Sequence, residues 1–308
     1  MPQIVYQIIF AALFLLGAVL FARRVRKIRR NILLGQPLEI TDHKKERWKT
    51  MARVALGQSK MVARPVAGIL HLFVYLGFVI INLEVLEIIL DGLLGTHRIF
   101  APLGALYDLL IASFEVLAIL VLVSCLLFLV RRNILKIKRF HLKEMTRWPK
   151  SDANIILVAE CLLMFAFLSM DACDWLLQSQ EYPGYHHAGS FPVSSLLFAP
   201  LYEGLSSAAL VAIERGMWWF HIIGILSFLV YVTYSKHLHI ILAFPNTYYS
   251  NLQAKGRFTN MAAVTNEVKL MMDPDADPYA SPPADASDNT PKRFGAKDVQ
   301  DLSWKQLL

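Results

Sequence analysis

Five long apolar stretches constrain this chain more than any other feature of its sequence. Each approaches or exceeds the roughly 20 residues that a helix needs to cross about 30 Å of hydrocarbon. The composition agrees, because 56% of the 308 residues are hydrophobic, 18% are charged and the mean hydropathy is +0.44. We therefore predict an all-α membrane protein built as a bundle of five transmembrane helices. The stretches are Ile4–Ala22, Val62–Leu90, Leu106–Val130, Ala153–Leu177 and Met217–Leu242.

The net charge of +7 is distributed unevenly along the chain. Short cytoplasmic loops of membrane proteins are enriched in Lys and Arg, so the asymmetry predicts an outer N-terminus and a cytoplasmic C-terminus in the inner membrane of a bacterium. The basic faces suit anionic lipid headgroups, and nucleic acid is not expected as a partner. The basic regions are Arg23–Arg30, Lys44–Arg64 and Arg131–Lys150, while the opposite loops, 91–105 and 178–215, hold only Arg98 and Arg215.

The first apolar run is predicted to be a retained helix. Its leading residues, Met1–Gln3, carry no positive charge, and the basic residues follow the run. A cleavable signal peptide has the opposite order of charge and apolar segment. The N-terminal segment is therefore counted among the five transmembrane helices.

The sequence changes character after the fifth stretch. Residues 1–246 are predicted to form the membrane domain and residues 247–308 a cytoplasmic tail. Within the tail, Asp273–Pro291 is rich in Pro, Asp, Ala and Ser, which predicts a mobile linker that packs little against the membrane domain. Asp298–Leu308 has the spacing of an amphipathic helix. Because linkers join domains, a further domain is expected after Leu308.

Histidines occur in only two of the apolar stretches, where a polar ring must find a partner. His71 lies in the second stretch, and His221, His237 and His239 lie within or at the end of the fifth. In one continuous helix, His221 and His239 share a face at a separation of 18 residues, or about 27 Å, while His237 points about 160° away from His239. Facing imidazoles in a helix bundle typically hold haem iron. The two helices run in opposite directions, so His71 and His239 are predicted to ligate one haem in the inner half of the membrane.

A second haem near the outer surface would use His221. About ten residues above His71, the second helix has Ile81 and Asn82, and neither is a good ligand for iron. A histidine that is simply hydrogen-bonded to a neighbouring helix, or that lies at the interface, is the alternative for each of these positions. The candidate partners of His221 are His97, which is nearby, and the more remote His186 and His187.

Carboxyl groups also occur at membrane depth. Glu115 and Glu160 lie well inside apolar runs, where an ionised carboxylate is costly. They are candidates for a proton path, and a neutral, hydrogen-bonded structural acid is the equally open alternative. The other acids, which lie in or near the ends of the stretches, are Glu84, Glu87, Asp171 and Asp174.

The three cysteines do not suggest a cofactor. Cys125, Cys161 and Cys173 lie in apolar runs, and the sequence contains no CxxC and no CxxCH motif. We therefore expect neither a thiolate-bound iron–sulfur cluster nor a structural zinc in this chain, and any haem would be non-covalent, of the b type.

A five-helix unit with one histidine early in helix two and two histidines 18 residues apart on helix five resembles the nitrate reductase gamma subunit. The chain resembles more closely the membrane-bound (Fe-S)-binding oxidoreductases related to heterodisulfide reductase, which fuse such a cytochrome b domain to a cytoplasmic ferredoxin-like region. The motifs that carry the resemblance are Trp218-Trp219-Phe220-His221, Tyr234-Ser235-Lys236-His237-Leu238-His239, Phe244-Pro245-Asn246 and the tail Arg293–Leu308.

The resemblance implies that His71 and His239 hold the inner haem and that His221 is the helix-five ligand of the outer one. Ile81 stands where the gamma subunit has its second helix-two histidine. The space near the outer membrane surface would then hold either a second haem, with His97 as a ligand, or the quinone.

The function implied is the membrane electron-transfer part of a quinone-linked oxidoreductase. One or two b-type haems would pass electrons between membrane quinone, the substrate, and a cytoplasmic iron–sulfur or flavoprotein partner. Any 4Fe-4S clusters would lie downstream of this chain. The alternative is a haem-free membrane transporter or sensor, in which histidines and carboxylates relay protons or bind a metal.

Overall fold

The chain divides into two compact units. A computed structural model describes residues 2–143, 147–254, 256–257, 261–275 and 296–308. The first unit comprises Met1–Arg26 and Arg53–Ile241, and the second comprises Lys27–Ala52 and Leu242–Leu308. The linker predicted over 273–291 lies outside the described residues from position 276 onward.

The described residues are mainly helical and contain no β-strand. The α-helices are α1 (Pro2–Ile32), α2 (Lys44–Met51), α3 (Pro65–Leu94), α4 (Ala105–Asn133), α5 (Arg147–Ser179), α6 (Ser207–Val232), α7 (His239–Tyr248), α8 (Ala262–Met272) and α9 (Trp304–Leu307). Shorter 3-10 or π-helical turns occur at Ala52–Leu56, Met61–Ala63, Ala101–Leu103, Lys138–Phe140, Ser194–Phe198, Ala199–Leu201, Lys236–Leu238 and Val299–Asp301.

Five of these helices are long and apolar enough to cross a membrane, as predicted: α1, α3, α4, α5 and α6. In the first unit α5 packs against both α4 and α6, and α3 packs against α4. Large apolar side chains also face outward, among them Leu15, Val79, Leu109 and Leu162. Helices that are apolar on every side are typical of proteins surrounded by lipid. The chain therefore has the architecture of a multi-pass membrane protein.

The fifth spanning helix differs from its predicted bounds. The sequence predicts one helix over Met217–Leu242, whereas α6 begins ten residues earlier and ends at Val232. The helix can begin early because Ser206 caps it by accepting a hydrogen bond from the amide of Ala209, 3.3 Å away. The charges of Glu214 and Arg215 are tolerated inside it because these two side chains pair with each other.

The segment from Thr233 to Leu238, here called the break, separates α6 from α7. Ser235 is extended, and its hydroxyl accepts a hydrogen bond from the amide of His237 at 3.0 Å. The buried carboxylate of Asp152 accepts from the hydroxyl of Tyr231 at 2.7 Å and from the amide of Lys236 at 3.0 Å. These bonds satisfy backbone groups that a continuous helix would pair internally. The prediction that His221 and His239 share one face of a single helix is therefore wrong.

The second unit groups 27–52 with the C-terminal part of the chain, an association that the sequence analysis did not predict. The guanidinium of Arg47 donates to the carbonyls of Tyr248 at 3.2 Å and Ser250 at 3.0 Å, and it forms a bidentate pair with Asp42. Trp48 packs edge-on against Tyr248. An arginine can satisfy several acceptors at once because it carries five donors in a fixed fork.

The end of the chain forms two short turns in place of the predicted amphipathic helix over 298–308. A 3-10 turn follows Asp298, and α9 follows Ser303, each start being capped by a side chain. Between them Leu302 is extended, and the backbone around it pairs with Gln36. The indole of Trp304 donates to the carbonyl of Leu38 at 2.8 Å. The two capped turns and the backbone pairing with Gln36 replace the predicted helix, so the apolar residues do not lie along one helical face.

Candidate functional site

Three of the predicted histidines lie together at one end of the first unit, here called the histidine end. The ring centres of His71 and His239 are 6.4 Å apart, and the rings are inclined by 53°. The ring of His237 lies perpendicular to that of His239, with 5.4 Å between centres. The structure therefore brings His71 and His239 together. It also brings in His237, which was predicted to point away, because the break redirects the chain after α6.

The hydrogen bonds fix which nitrogen of His239 is free. Its Nδ1 lies 3.1 Å from the carbonyl oxygen of Lys236. A carbonyl can only accept, so Nδ1 carries the proton and Nε2 keeps a lone pair, the arrangement of imidazoles that bind metals. The Nδ1 of His71 is buried and has no hydrogen-bond partner within the described part of the chain. Burial lowers the pKa of His237 to about 4, with smaller contributions from His239 and His71, so that ring is neutral at physiological pH.

The separation of the two rings suits a group that takes one ligand on each side. Two imidazoles that bind one metal ion from opposite sides, each at about 2 Å, have ring centres about 6 Å apart. The 6.4 Å between His71 and His239 fits that arrangement. Among the described residues, no group of three or more His, Cys, Asp or Glu side chains could hold a bare metal ion. The distance between the two rings thus leaves room for one metal centre between them.

His221 lies apart from this cluster, buried in the core of the first unit. Its Nδ1 is 3.0 Å from the carbonyl oxygen of Leu163, and its ring centre is 5.9 Å from that of Phe167. By the same reasoning as for His239, Nδ1 carries the proton and Nε2 is the free nitrogen. His221 therefore has the hydrogen bonding of a ligand, although its contacts among the described residues include no second imidazole.

His97, the predicted partner of His221, contacts other residues. Its Nε2 is 3.7 Å from a carboxylate oxygen of Asp174, and its ring packs edge-on against Tyr185. Asp174 is eleven residues beyond Leu163 on α5, about 16 Å along the helix. No contact among the described residues joins His97 to His221. Burial lowers the pKa of His97 to about 4, against the opposing attraction of Asp174.

His186 and His187 are also not brought to His221. His187 lines a cavity of about 470 Å³ together with Asp108 and Gln178, in the segment that follows α5. His186 has no contact with His221 among the described residues. A second ligand for an outer haem therefore stays a prediction.

Arg98 organises the opposite end of the unit, here called the carboxyl end. Its guanidinium donates to Asp174 at 2.6 Å, to Asp171 at 3.0 Å and to the hydroxyl of Tyr107 at 3.0 Å. Tyr107 in turn donates to Glu87 at 2.9 Å. Only 7% of the Arg98 side chain is exposed. In the sequence, Arg98 is one of two basic residues in the loops opposite the basic regions. A single basic residue near several acids at membrane depth indicates that it pairs with some of them. The sequence spacing does not show which acids those are.

The carboxyl end holds more acids than bases. Two guanidinium groups, of Arg98 and Arg215, accompany six carboxyl groups. An ionised carboxylate without a partner is costly away from water, so not all six can be charged together. Oε2 of Glu84 and Oδ2 of Asp171 are buried without a hydrogen-bond partner in the described structure. The six acids are Glu84, Glu87, Asp91, Asp171, Asp174 and Glu214.

The two acids predicted to form a proton path have separate environments. Glu115 is completely buried and accepts hydrogen bonds from the amides of Val193 at 2.8 Å and Ser194 at 3.3 Å. It therefore anchors the loop before the turn at Ser194–Phe198. Glu160 is half-buried on α5 and has no contact with Glu115 among the described residues. The proton path through this pair stays a prediction.

Comparison with known proteins supports an oxidoreductase relation. The chain is 25% identical over 305 residues to the probable iron-sulfur-binding oxidoreductase FadF of Bacillus subtilis (strain 168), an alignment that covers 97% of this chain and 37% of that protein. It is 22% identical over 261 residues to the EtfAB:quinone oxidoreductase of Syntrophomonas wolfei, covering 82% of this chain and 31% of that protein. The chain thus spans about a third of the length of these curated relatives. No family model and no solved structure matches it.

Proposed function

We propose that the chain is the b-type haem membrane part of a quinone-linked oxidoreductase. It passes electrons between membrane quinone and an iron–sulfur or flavin partner on the cytoplasmic side. The observation that carries the proposal is the pairing of His71 with His239 at 6.4 Å. The two relatives, one named as iron-sulfur-binding and one as a quinone oxidoreductase, support the same class of reaction.

The histidine end would hold the haem by both faces. A bound haem supplies a centre that accepts and releases single electrons. His71 and His239 offer the two axial nitrogens, and the carbonyl of Lys236 fixes the orientation of His239. His237 lies edge-on to His239 and remains neutral, so it adds no charge beside the iron.

The test is the reduced-minus-oxidised visible spectrum of the purified full chain. We expect a b-type signal that disappears in His71→Ala and in His239→Ala, with the protein still inserted in the membrane. The matched control is His141→Ala, because His141 is exposed in a loop outside the spans. Full haem content in His71→Ala would refute the assignment.

His221 is the proposed ligand of a second haem, on the strength of its burial and its free Nε2. Two haems per chain, of which one is lost in His221→Ala, are the expected result of pyridine haemochrome quantification. One haem per chain, retained in full by His221→Ala, would remove His221 from the ligand set.

A haem-free proton relay is the second candidate function. The excess of carboxyl groups at the carboxyl end, with one oxygen of Glu84 unpartnered, favours it. Protein that is correctly inserted but has no visible haem spectrum after expression with adequate haem supply would support this candidate over the first.

A further inference from the structure

We propose that a cavity beside the carboxyl end, between α1, α3 and α6, binds the quinone ring. This inference rests on the proposed function and assigns its substrate a place. The cavity has a volume of about 360 Å³, within the range of pockets that take small organic molecules. Aromatic side chains form much of its wall, and the polar groups include Gln7 and Arg215.

The aromatic wall is built for a flat ring. The ring of Phe10 lies 5.6 Å from that of Trp218 and 6.2 Å from that of Trp219. Gly92 on α3 allows this placement, because a Cβ there would lie 2.5 Å from the Phe10 ring. Flat aromatic molecules stack favourably on such rings. The wall therefore suits a quinone ring better than a flexible acyl chain, which needs no flat surface.

Arg215 supplies a donor at the polar side of the cavity. Its Nε and Nη2 bind the carboxylate of Glu214, and its Nη1 takes no part in those bonds. Glu214 is held from the other side by the hydroxyl of Tyr185 at 2.9 Å, which keeps the pair in place. A guanidinium N–H can donate to a quinone carbonyl oxygen, which only accepts. The free donor of Arg215 thus favours a ring that carries hydrogen-bond acceptors such as carbonyl groups.

A second, smaller cavity shares part of this wall and is lined by a buried acid. It measures about 20 Å³, shares Asp91, Arg215 and Trp218 with the larger cavity and is also lined by Glu84. Glu84 is 4% exposed, and its Oε2 makes no hydrogen bond within the described part of the chain. A cavity of that size holds about one water molecule, enough to link Glu84 to the larger cavity.

The arrangement provides for the protons of the quinone reaction. Reduction of a quinone to its quinol adds two electrons and two protons, one proton to each carbonyl oxygen, and oxidation releases them. The second haem proposed at His221 would supply or take up the electrons one at a time, and Glu84 would accept or donate the protons one at a time. His221 follows Trp218 by three residues on α6 and so lies about one turn from the cavity wall.

Gly216 makes the cavity testable. It lines the cavity, and a Cβ built on it meets no heavy atom within 4 Å. Gly216→Leu should therefore extend into the open space at the cavity without displacing its wall, whereas Gly216→Ala adds one methyl group and is the matched control. Binding is measured with menadione, a naphthoquinone without a tail, through the quenching of tryptophan fluorescence in the purified full chain.

We expect saturable quenching by menadione, weakened at least about tenfold in Gly216→Leu and less than about twofold in Gly216→Ala, because only the larger side chain overlaps the ring. Unchanged binding in Gly216→Leu would overturn the proposal. Displacement of menadione by a short-chain phospholipid at equal concentration would also overturn it, since the cavity would then be a lipid site. If Gly216→Leu fails to insert, photolabelling of the unaltered protein with an azido-naphthoquinone decides. Labelled peptides from α1 and α6 support the site, and labels confined to other helices refute it.

The haem spectrum of the same samples separates this inference from the proposed function. If menadione binding depends on Gly216 but the protein contains no haem, the assignment of the cavity stands and the electron-transfer role is refuted. Intact haem with no menadione binding would do the reverse. For Glu84, we expect Glu84→Gln to slow haem reduction by menadiol and to alter its pH profile. A rate and profile equal to those of the unaltered protein would remove Glu84 from the proton route.

Discussion

Among single residues, Arg98 combines an unusual backbone conformation with a buried charge. Its backbone adopts a left-handed conformation, with φ of 54°, which is unusual for a residue with a Cβ. Asp91 holds that conformation by accepting from the amides of Arg98 at 2.8 Å and Ile99 at 3.1 Å. The side chain is thereby directed into the bundle, where it meets Asp171 and Asp174. Backbone strain and buried charge are thus concentrated at one position.

We expect Arg98→Gln to lower the free energy of unfolding by about 3–5 kcal/mol, because it leaves buried carboxylates without a cation. The measurement is denaturant unfolding of the purified protein in detergent, followed by tryptophan fluorescence. Lys138→Gln is the control, since Lys138 is exposed outside the spans and its loss removes the same charge. Equal, small effects of the two substitutions would mean that the network is not stabilising.

His97 should make stability depend on pH. Its folded pKa of about 4 lies below the ordinary value of 6.5, mainly because of burial. Between these two values the unfolded chain binds a proton at this position and the folded chain does not, so stability decreases as the pH falls. The full loss, reached near pH 4, is on the order of 3 kcal/mol. Unfolding at pH 7, 6 and 5 should show a shallower dependence in His97→Gln, and an unchanged slope would contradict this account.

The types of residue that form the site could be predicted from the sequence. Only some of the contacts between them could be predicted as well. His71 and His239 were predicted to meet because their helices are antiparallel, and the structure brings them together. His237 was excluded by counting about 100° per residue through a helix that is in fact interrupted. Asp171 and Asp174, the acids that pair with Arg98, lie 73 and 76 residues further along the chain, beyond the reach of any spacing rule.

At the scale of elements, the break after α6 is the feature that orients the histidine end. Its geometry depends on Asp152, which binds Tyr231 and Lys236 from the neighbouring helix α5. The signal in the sequence was weak, since Thr233 and Ser235 also occur inside helices. The five spans themselves could be predicted, because length and hydropathy suffice for them. Helix ends could not, because they depend on local caps such as that of Ser206 and on contacts with distant residues such as Asp152.

We expect Asp152→Ala to reduce haem content by destabilising the break, which carries His237 and His239. Tyr231→Phe removes a single bond to Asp152 and should have a smaller effect, of about 1 kcal/mol in stability. Haem-to-protein ratios of the two purified variants provide the measurement. Full haem content in Asp152→Ala would show that His239 keeps its position without the hydrogen bonds of Asp152.

Each of the two compact units combines two segments that are separate in the sequence. The structure assigns 27–52 to the same unit as the C-terminal part. That association depends on contacts such as those of Trp304 with Leu38 and of Arg47 with Ser250. They join parts of the chain far apart in sequence, and no compositional change marks them.

The distribution of basic residues predicts the orientation of the bundle. In a protein whose native cysteines are replaced, Ser190→Cys should react with a membrane-impermeant maleimide from outside intact cells. Ser59→Cys should react only when the inner face is exposed, for example in inverted vesicles. Both positions are exposed in loops of the first unit, so accessibility within the protein is matched. The reversed pattern would invert the topology and place the histidine end outside.

The distance along the chain between Arg98 and its acids sets an order of assembly. Chains are synthesised from the N-terminus, and Arg98 leaves the ribosome long before Asp171 and Asp174. The hairpin of α3 and α4 must therefore enter the membrane before Arg98 can pair with Asp171 and Asp174, and the loop between them can close fully only after α5 inserts. A nascent chain arrested before Asp171 should expose that loop to protease, whereas one arrested beyond α5 should protect it. Membrane insertion and completion of the carboxyl end are then separate events in the life of the chain, with the third helical crossing after α1 as the step that joins them.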